Sequence, residues 1–444
     1  MNLCAALPPF LWVAAFLTWI LTGRKKELYV SLGGALLLFL AALATYAAIS
    51  ALRNDGVTAL AAQQMRFLPK SRADRPQKRH PAGRILLLAF LSRLILFFGL
   101  YAVDMKVNGY HGGLFEMPVL FAPLRFATPA AALLGLPASE VLLQSNLARF
   151  PLFPLLANAL GKYTVSPVFA GCIISNLCVV LAAPLLYEHV LAQGTTADGK
   201  RAVLWLLLGP AAVVTLFANE ASLVLMLSLA ALYASRRSKC FSAAVFAFAA
   251  ILTHPIALIL LIPLLWDRIS AIVLATQLKQ TLSPLKTSLR LLFATLPLLA
   301  IGVPDLIGRM RYGVSAPLTE GLSLFFFAEE PAGRLAQVLS EPIDGLAAVA
   351  RLLPFLLVLL LLLTALHAAR TMRPQDLMSL LCVPFVFSVM SVRASVALTV
   401  AAWPLLTALP LLTRYRPLRE IAAVAGVLCG AAFYLCYAAG RLPF

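Results

Sequence analysis

Two ionisable residues interrupt long apolar stretches in the middle of the chain. Glu220 divides the apolar stretch 204–235, and the His254-Pro255 pair divides the stretch 241–266. An ionisable group at the end of a membrane helix is costly unless it meets water, a partner or a ligand. Glu220 and His254 are therefore the first candidates for a binding or catalytic site.

Four more charged residues could supply chemistry beside them. A carboxylate such as Asp104 or Glu116 could accept a proton from an acceptor hydroxyl. Arg149 or Arg393 could hold a phosphate through two hydrogen bonds and stabilise its charge as it leaves. The chain has no P-loop, no dinucleotide-binding glycine motif and no HExxH motif, so we expect no soluble nucleotide, no metal and no cofactor.

The composition indicates how these residues are positioned. The chain is 61% hydrophobic and only 12% charged, against about 25% charged in soluble domains. Several apolar runs exceed the roughly 18 residues that a membrane-spanning helix needs. The sequence therefore predicts an all-α polytopic membrane protein. We interpret the net charge of +18 as loop charge that orients the helices, and we expect no nucleic-acid partner.

The apolar runs predict about thirteen transmembrane helices and two long outer loops. Residues 1–51 are expected to form an N-terminal membrane hairpin, 52–83 a basic cytoplasmic linker, and 84–444 the membrane catalytic domain. A Pro-broken re-entry is expected at 149–154. The predicted spans are 5–22, 28–51, 84–103, 165–190, 204–217, 219–235, 241–252, 254–266, 288–307, 348–369, 376–391, 394–412 and 420–438.

Loop charge predicts which ends of these helices face the cytoplasm. Most loop bases fall in six predicted inner loops, whereas the outer loops 104–147 and 308–347 carry most of the loop acids. This is the positive-inside pattern, with Arg24-Lys25-Lys26 as the exception. The predicted inner loops are 52–83, 191–201, 236–240, 267–287, 370–375 and 413–419. In this topology Asp104, Arg149, Glu220, His254 and Arg393 all lie on the outer face.

Several segments carry a family resemblance. The chain resembles the membrane-embedded GT-C glycosyltransferases, in particular the second mannosyltransferase of GPI-anchor synthesis and its bacterial relatives. The likeness extends over roughly residues 84–412, and its most specific block is 209–265. The segments are SRLILFF (92–98), RFPLFPLL (149–156), SNLCVVLAAPLLY (175–187), GPAAVVTLFANEASLVLMLSLAALYASRRSK (209–239), AAILTHPIALILLIPLL (249–265) and, more weakly, MSVRASVALTVAAWPLL (390–406).

The resemblance implies a GT-C-like helical bundle that transfers a hexose, mannose by analogy, with inversion. The donor would be a polyprenyl-phosphate sugar, and the acceptor a lipid or glycan on the outer face. The family's first outer loop carries a Trp-Asp motif, for which Asp104 and then Glu116 are the nearest substitutes. Arg149, Glu220, His254 and Arg393 would bind substrate. The family's Thr-Arg-Pro is Thr-His-Pro here, its Tyr-Ser-Glu matches only at Glu220, and Ala394 replaces the Tyr after its late Arg.

Two other functions fit the same pattern. A transporter or flippase for a lipid-linked glycan would also use broken helices and a cavity open to the membrane. An inactive GT-C relative that serves as an assembly subunit would explain the missing Trp-Asp motif. Whichever holds, we expect a multi-pass protein among membrane lipids, in the bacterial inner membrane or, alternatively, the endoplasmic reticulum.

Overall fold

A computed structural model describes a helical membrane core. The described residues are almost all helical and none forms a strand. Three helices are long and apolar enough to cross a membrane, namely Ala82–Ala102, Pro167–Leu191 and Ser288–Met310. The predicted all-α membrane architecture is confirmed for this part, while the predicted number of spans and the regions 1–51 and 52–81 lie outside it. The described residues are 82–107, 151–164, 167–209, 212, 214–277, 284–312, 372–373, 375–380, 383, 401–412, 420 and 424.

Two of the first three helices agree with predicted spans. Helix α1 is Ala82–Val107, α2 is Leu152–Gly161 and α3 is Pro167–Leu191. Helices α1 and α3 match the predicted spans 84–103 and 165–190, whereas α2 begins within the predicted Pro-broken re-entry 149–154 and packs on α3. Helix α3 is the centre of the core, because α1, α2 and the next two helices all pack against it.

The next two helices differ from the prediction at one point. Helix α4 is Thr196–Leu208 and α5 is Glu220–Arg236, with only a short 3₁₀ turn at Val214–Leu216 between them. The predicted span 204–217 is therefore wrong: the helix starts within the predicted inner loop 191–201 and ends nine residues earlier than expected. Its start is fixed by a capping box in which Thr195 and Asp198 exchange side-chain and backbone hydrogen bonds.

The second half of the described core forms a hairpin and its neighbours. Helix α6 is Cys240–Thr253, and a 3₁₀ helix at Pro255–Leu260 leads into α7, Leu261–Gln277. Helix α7 therefore extends into the predicted inner loop 267–287. The remaining helices are α8 (Pro284–Thr295), a 3₁₀ helix at Leu296–Gly302, α9 (Val303–Tyr312) and α10 (Trp403–Leu412).

Helices α5 and α6 pack closely against each other. Only three residues, 237–239, connect them, so they run antiparallel. Ser238 in this connection adopts a left-handed backbone, with φ of 58°. We call the end of the bundle where this turn lies the basic end, because it carries RRSK (236–239). Helix α6 also packs against α8 and the 3₁₀ helix at Leu296–Gly302, and α10 packs against α4.

Candidate functional site

The candidate site is built around a break in the helical backbone. We call residues 209–219 the broken segment; the structure describes 209, 212 and 214–219 of it. Helix α4 ends at Gly209, whose backbone turns extended at ψ 168°. A Cβ atom at Gly209 would lie 2.3 Å from the carbonyl oxygen of Trp205, so only glycine fits this close approach.

Arg93 of α1 holds the start of this break. Its side chain is 4% exposed and its NH1 donates to Ala212 O (3.0 Å) and Thr215 Oγ1 (2.7 Å). Its NH2 donates to Leu207 O (3.2 Å) and lies 3.5 Å from Leu206 O. The last carbonyls of a helix have no partner within the helix, and a cation there also interacts favourably with the negative end of the helix dipole. Arg93 thus satisfies the end of α4 and the chain beyond it.

Two polar residues of α3 hold the other side of the break. The Ser175 hydroxyl donates to Asn219 O and accepts from Asn219 N, both at 2.9 Å. The Asn176 side-chain amide donates to Leu216 O at 2.8 Å. The Asn219 side chain in turn accepts from Ala221 N and so caps α5. Backbone groups that leave a helix at membrane depth are thereby satisfied by neighbouring helices, as they must be.

These contacts fix the depth of Glu220, the first residue of α5. Ser175 lies eight residues after Pro167, which is about 12 Å along α3 at 1.5 Å per residue. Glu220 therefore begins α5 at the level of Ser175 of α3, and its position on the outer face stays a prediction. An acid at a helix N-terminus is favoured by the helix dipole, and the half-buried Glu220 side chain occupies that position.

His254 marks a second break at a comparable level. It ends α6 with an extended backbone, is 1% exposed, and its Nδ1 accepts from Ile256 N at 3.1 Å. His254 therefore caps the 3₁₀ helix that follows, which is the structural role of a turn histidine. Helices α5 and α6 have 17 and 14 residues, so Glu220 and His254 both lie at the hairpin end opposite the basic end.

The other predicted site residues remain untested. Asp104 belongs to the last turn of α1, but the position of its side chain is outside the described part. Glu116, Arg149 and Arg393 also lie outside the described residues. The structure therefore brings together two of the six, Glu220 and His254, at one end of one hairpin. Among the described residues, no group of three or more His, Cys, Asp or Glu could hold a metal ion.

A second polar group occupies the basic end. We call it the polar cluster, and it joins α3, α5, α7 and the helical segment 375–380 through side chains that are largely buried. His189 Nε2 lies 3.5 Å from Asp376 Oδ2, and the Gln193 side chain donates to the same oxygen. The cluster comprises His189, Gln193, Ser235, Arg236, Asp267, Arg268, Arg373, Gln375 and Asp376.

Hydrogen bonds link the members of this cluster across four chain segments. Arg236 NH1 donates to His189 O at 3.3 Å, and Arg373 N donates to the Gln193 side chain at 3.3 Å. Asp267 accepts from Ser235 at 3.0 Å and from the Gln375 amide at 3.2 Å. Residues at or beside four predicted inner loops therefore lie at one end of the bundle, as the charge pattern predicts.

The surroundings of the cluster shift the pKa values of its charged groups. Asp267 and Arg236 each lie one residue beyond a predicted span. Removal from water raises the pKa of the Asp267 carboxyl. The pKa of the Arg236 guanidinium falls to about 9 because it is shielded from water and lies near the Arg373 charge.

Arg93 and the polar cluster were missed as site residues by sequence reasoning. Arg93 stands within an apolar 26-residue helix, and a charge in that setting is a signal of function or structure. All three bases of RRSK fall in the predicted inner loop 236–240, yet Arg236 contacts His189 while Arg237 and Lys239 are exposed. The spacing of apolar residues in the sequence does not show which of these three bases is exposed and which contacts the core.

Comparison with known proteins adds no assignment. No family model matches the chain, and no curated protein matches it. A functional assignment therefore depends on the family resemblance described above and on the geometry of the two helix breaks.

Proposed function

We propose that this protein is a membrane glycosyltransferase that moves a hexose from a polyprenyl-phosphate donor to a lipid or glycan acceptor. The observation that carries the proposal is the pair of helix breaks, which brings Glu220 and His254 to one end of the α5–α6 hairpin. These residues fall in the block 209–265, the most specific part of the GT-C resemblance.

In this transfer reaction the predicted site residues would have different roles. Asp104 or Glu116 would remove the proton from the acceptor hydroxyl as it attacks the anomeric carbon. Arg149 and Arg393 would bind the phosphate and stabilise its charge as the sugar–phosphate bond breaks. Glu220, at the start of α5, would hydrogen-bond hydroxyl groups of the sugar, and His254 would fix the turn beside it.

The polar cluster favours an enzyme over a flippase. A flippase must open each end of its bundle in turn. Opening the basic end would separate the His189–Asp376 contact and the Asp267 hydrogen bonds, and leaving buried polar and charged groups without partners is costly. An enzyme that works at the opposite end needs no such opening.

The test is transfer of labelled mannose from polyprenyl-phosphate mannose by the purified full chain in liposomes. Asp104→Asn and Glu116→Gln are assayed separately, because loss of a general base lowers rates by about 10²–10⁴. Glu220→Gln should lower transfer by about tenfold, the effect of one lost substrate hydrogen bond of about 1.4 kcal/mol.

Asp305→Asn is the matched control. Asp305 is an acid in the first turn of α9 and near the outer end of the predicted span 288–307. It already pairs with Arg309 at 2.9 Å, and its substitution should leave transfer unchanged. Transfer that survives both Asp104→Asn and Glu116→Gln would reject these residues as the base. Passage of intact labelled donor across the bilayer without transfer would favour the flippase instead.

A further inference from the structure

We infer that Arg93 is a positioning residue, which holds the broken segment in place and through it sets the location of Glu220. The functional consequence of this inference rests on the proposed transferase activity. The structural part does not, because it follows from the contacts of Arg93 alone. Arg93 is placed to act through the backbone, since its described partners are carbonyl oxygens and one hydroxyl.

Arg93 lies in the central part of a helix that can cross a membrane. It lies eleven residues after Ala82 in a helix that can cross a membrane as Ala82–Ala102. Eleven residues correspond to about 17 Å at 1.5 Å per residue, close to the middle of a hydrocarbon core of about 30 Å. A buried guanidinium at this depth persists only where it is paired or hydrogen-bonded.

The shape of the Arg93 side chain lets it contact two parts of the backbone at once. The guanidinium presents its donors in a fixed fork, and here the two arms reach different parts of the backbone. NH2 faces the last carbonyls of α4, whereas NH1 reaches Ala212 O and Thr215 Oγ1 beyond the break. One rigid group therefore sets the distance and direction from the end of α4 to the middle of the broken segment.

The broken segment leads directly into Glu220, the first residue of α5. Thr215 is followed directly by Leu216, whose carbonyl oxygen accepts from Asn176. Three residues later comes Asn219, which is hydrogen-bonded to Ser175 and caps α5. The segment is thus attached to α1 at its start and to α3 at its end. If the attachment to α1 is lost, the segment keeps its contacts with Ser175 and Asn176 of α3 but loses the group that fixes its start.

The experiment is hydrogen–deuterium exchange by mass spectrometry on the full chain in nanodiscs. The variants are Arg93→Gln and Arg93→Lys, with Arg84→Gln as control. Arg84 is a base on the same helix whose side chain is exposed. We expect Arg93→Gln to speed exchange in peptides covering 209–219 by at least tenfold, with change below threefold in 225–235 and 241–252. Lys retains the charge, but its single ammonium group cannot contact both the last carbonyls of α4 and the broken segment. Arg93→Lys should therefore give an intermediate increase in the exchange rate.

Activity supplies an independent readout. Misplacement of a substrate group by about 1 Å can cost about 100-fold in rate, so Arg93→Gln should lower kcat by tenfold or more with KM changed less than threefold. Local acceleration of exchange in a protein that transfers no sugar would leave the positioning role standing and reject the proposed function.

Three results would overturn the inference. The first is unchanged exchange in 209–219. The second is an increase spread equally over α5 and α6, which would indicate a general role in stability. The third is failure of both Arg93 variants to fold while Arg84→Gln folds normally, which would assign Arg93 to the stability of the whole core.

Discussion

Removing one carboxylate from the polar cluster should destabilise the whole bundle. The Asp376 side chain is 2% exposed, lies 3.5 Å from His189 Nε2 and accepts from the Gln193 amide. Asp376→Ala would leave the neighbouring Arg236 and Arg373 charges without this carboxylate. Loss of one partner of a buried ion pair typically costs about 3–5 kcal/mol.

The assay is thermal unfolding of the full chain in detergent, followed by the loss of monodisperse protein. With an unfolding entropy of about 2.1 cal/mol/K per residue, a chain of 444 residues shifts by about 1 °C per kcal/mol, so Asp376→Ala should lower the midpoint by about 3–5 °C. Asp376→Asn retains an oxygen for the Gln193 amide, so it should lower the midpoint by about half as much. Asp376→Ala combined with Arg236→Met removes charges of both signs and should recover part of the loss.

The matched control is an exposed ion pair that also contains an Asp. Asp305 pairs with Arg309 at 2.9 Å, but the Arg309 side chain is 65% exposed. Such pairs contribute about 0–1 kcal/mol, so Asp305→Ala should shift the midpoint by less than about 1 °C. Equal shifts for Asp376→Ala and Asp305→Ala would refute the reasoning that the polar cluster holds the basic end closed.

Three further predictions concern sidedness, the helix break and the hairpin turn. In a chain whose other cysteines are replaced, an impermeant maleimide should label Tyr163→Cys, 86% exposed beside α2, in intact cells; it should label Arg237→Cys only after permeabilisation, and the reverse pattern would invert the topology. Ser175→Ala should lower the free energy of unfolding by about 1–3 kcal/mol, because Asn219 loses a buried donor and acceptor; an unchanged thermal midpoint would contradict this. Ser238→Gly should raise stability by about 0.5–1 kcal/mol, since φ of 58° strains a residue with a Cβ; a lower midpoint would count against that strain.

The long helices were predictable from the sequence because their apolar runs are long and contain few charged residues. Helices α1 and α3 match the predicted spans within a few residues, and each run is long enough to cross a membrane. A break between α4 and α5 was predicted at 218, but the helix already ends at Leu208, for which the Gly209-Pro210 pair was a signal. The apolar residues that follow carry the hydropathy of a helix, and hydropathy alone does not show where the backbone leaves the helical path.

The contacts that stabilise the break could not be predicted from local patterns. Arg93 and Ala212 are 119 residues apart along the chain, and nothing in either neighbourhood specifies the other. The same holds for His189 and Asp376, which belong to separate helical segments. By contrast, the shared end for Glu220 and His254 followed from counting residues through one hairpin.

The most direct test of this account is the fate of the sugar on a labelled polyprenyl-phosphate mannose given to the purified protein in liposomes. The account predicts that label leaves the polyprenyl phosphate and appears on an acceptor with inverted configuration at the anomeric carbon. Label that stays on the donor in the presence of membrane lipid and glycan acceptors, whether or not the donor crosses the bilayer, would contradict it.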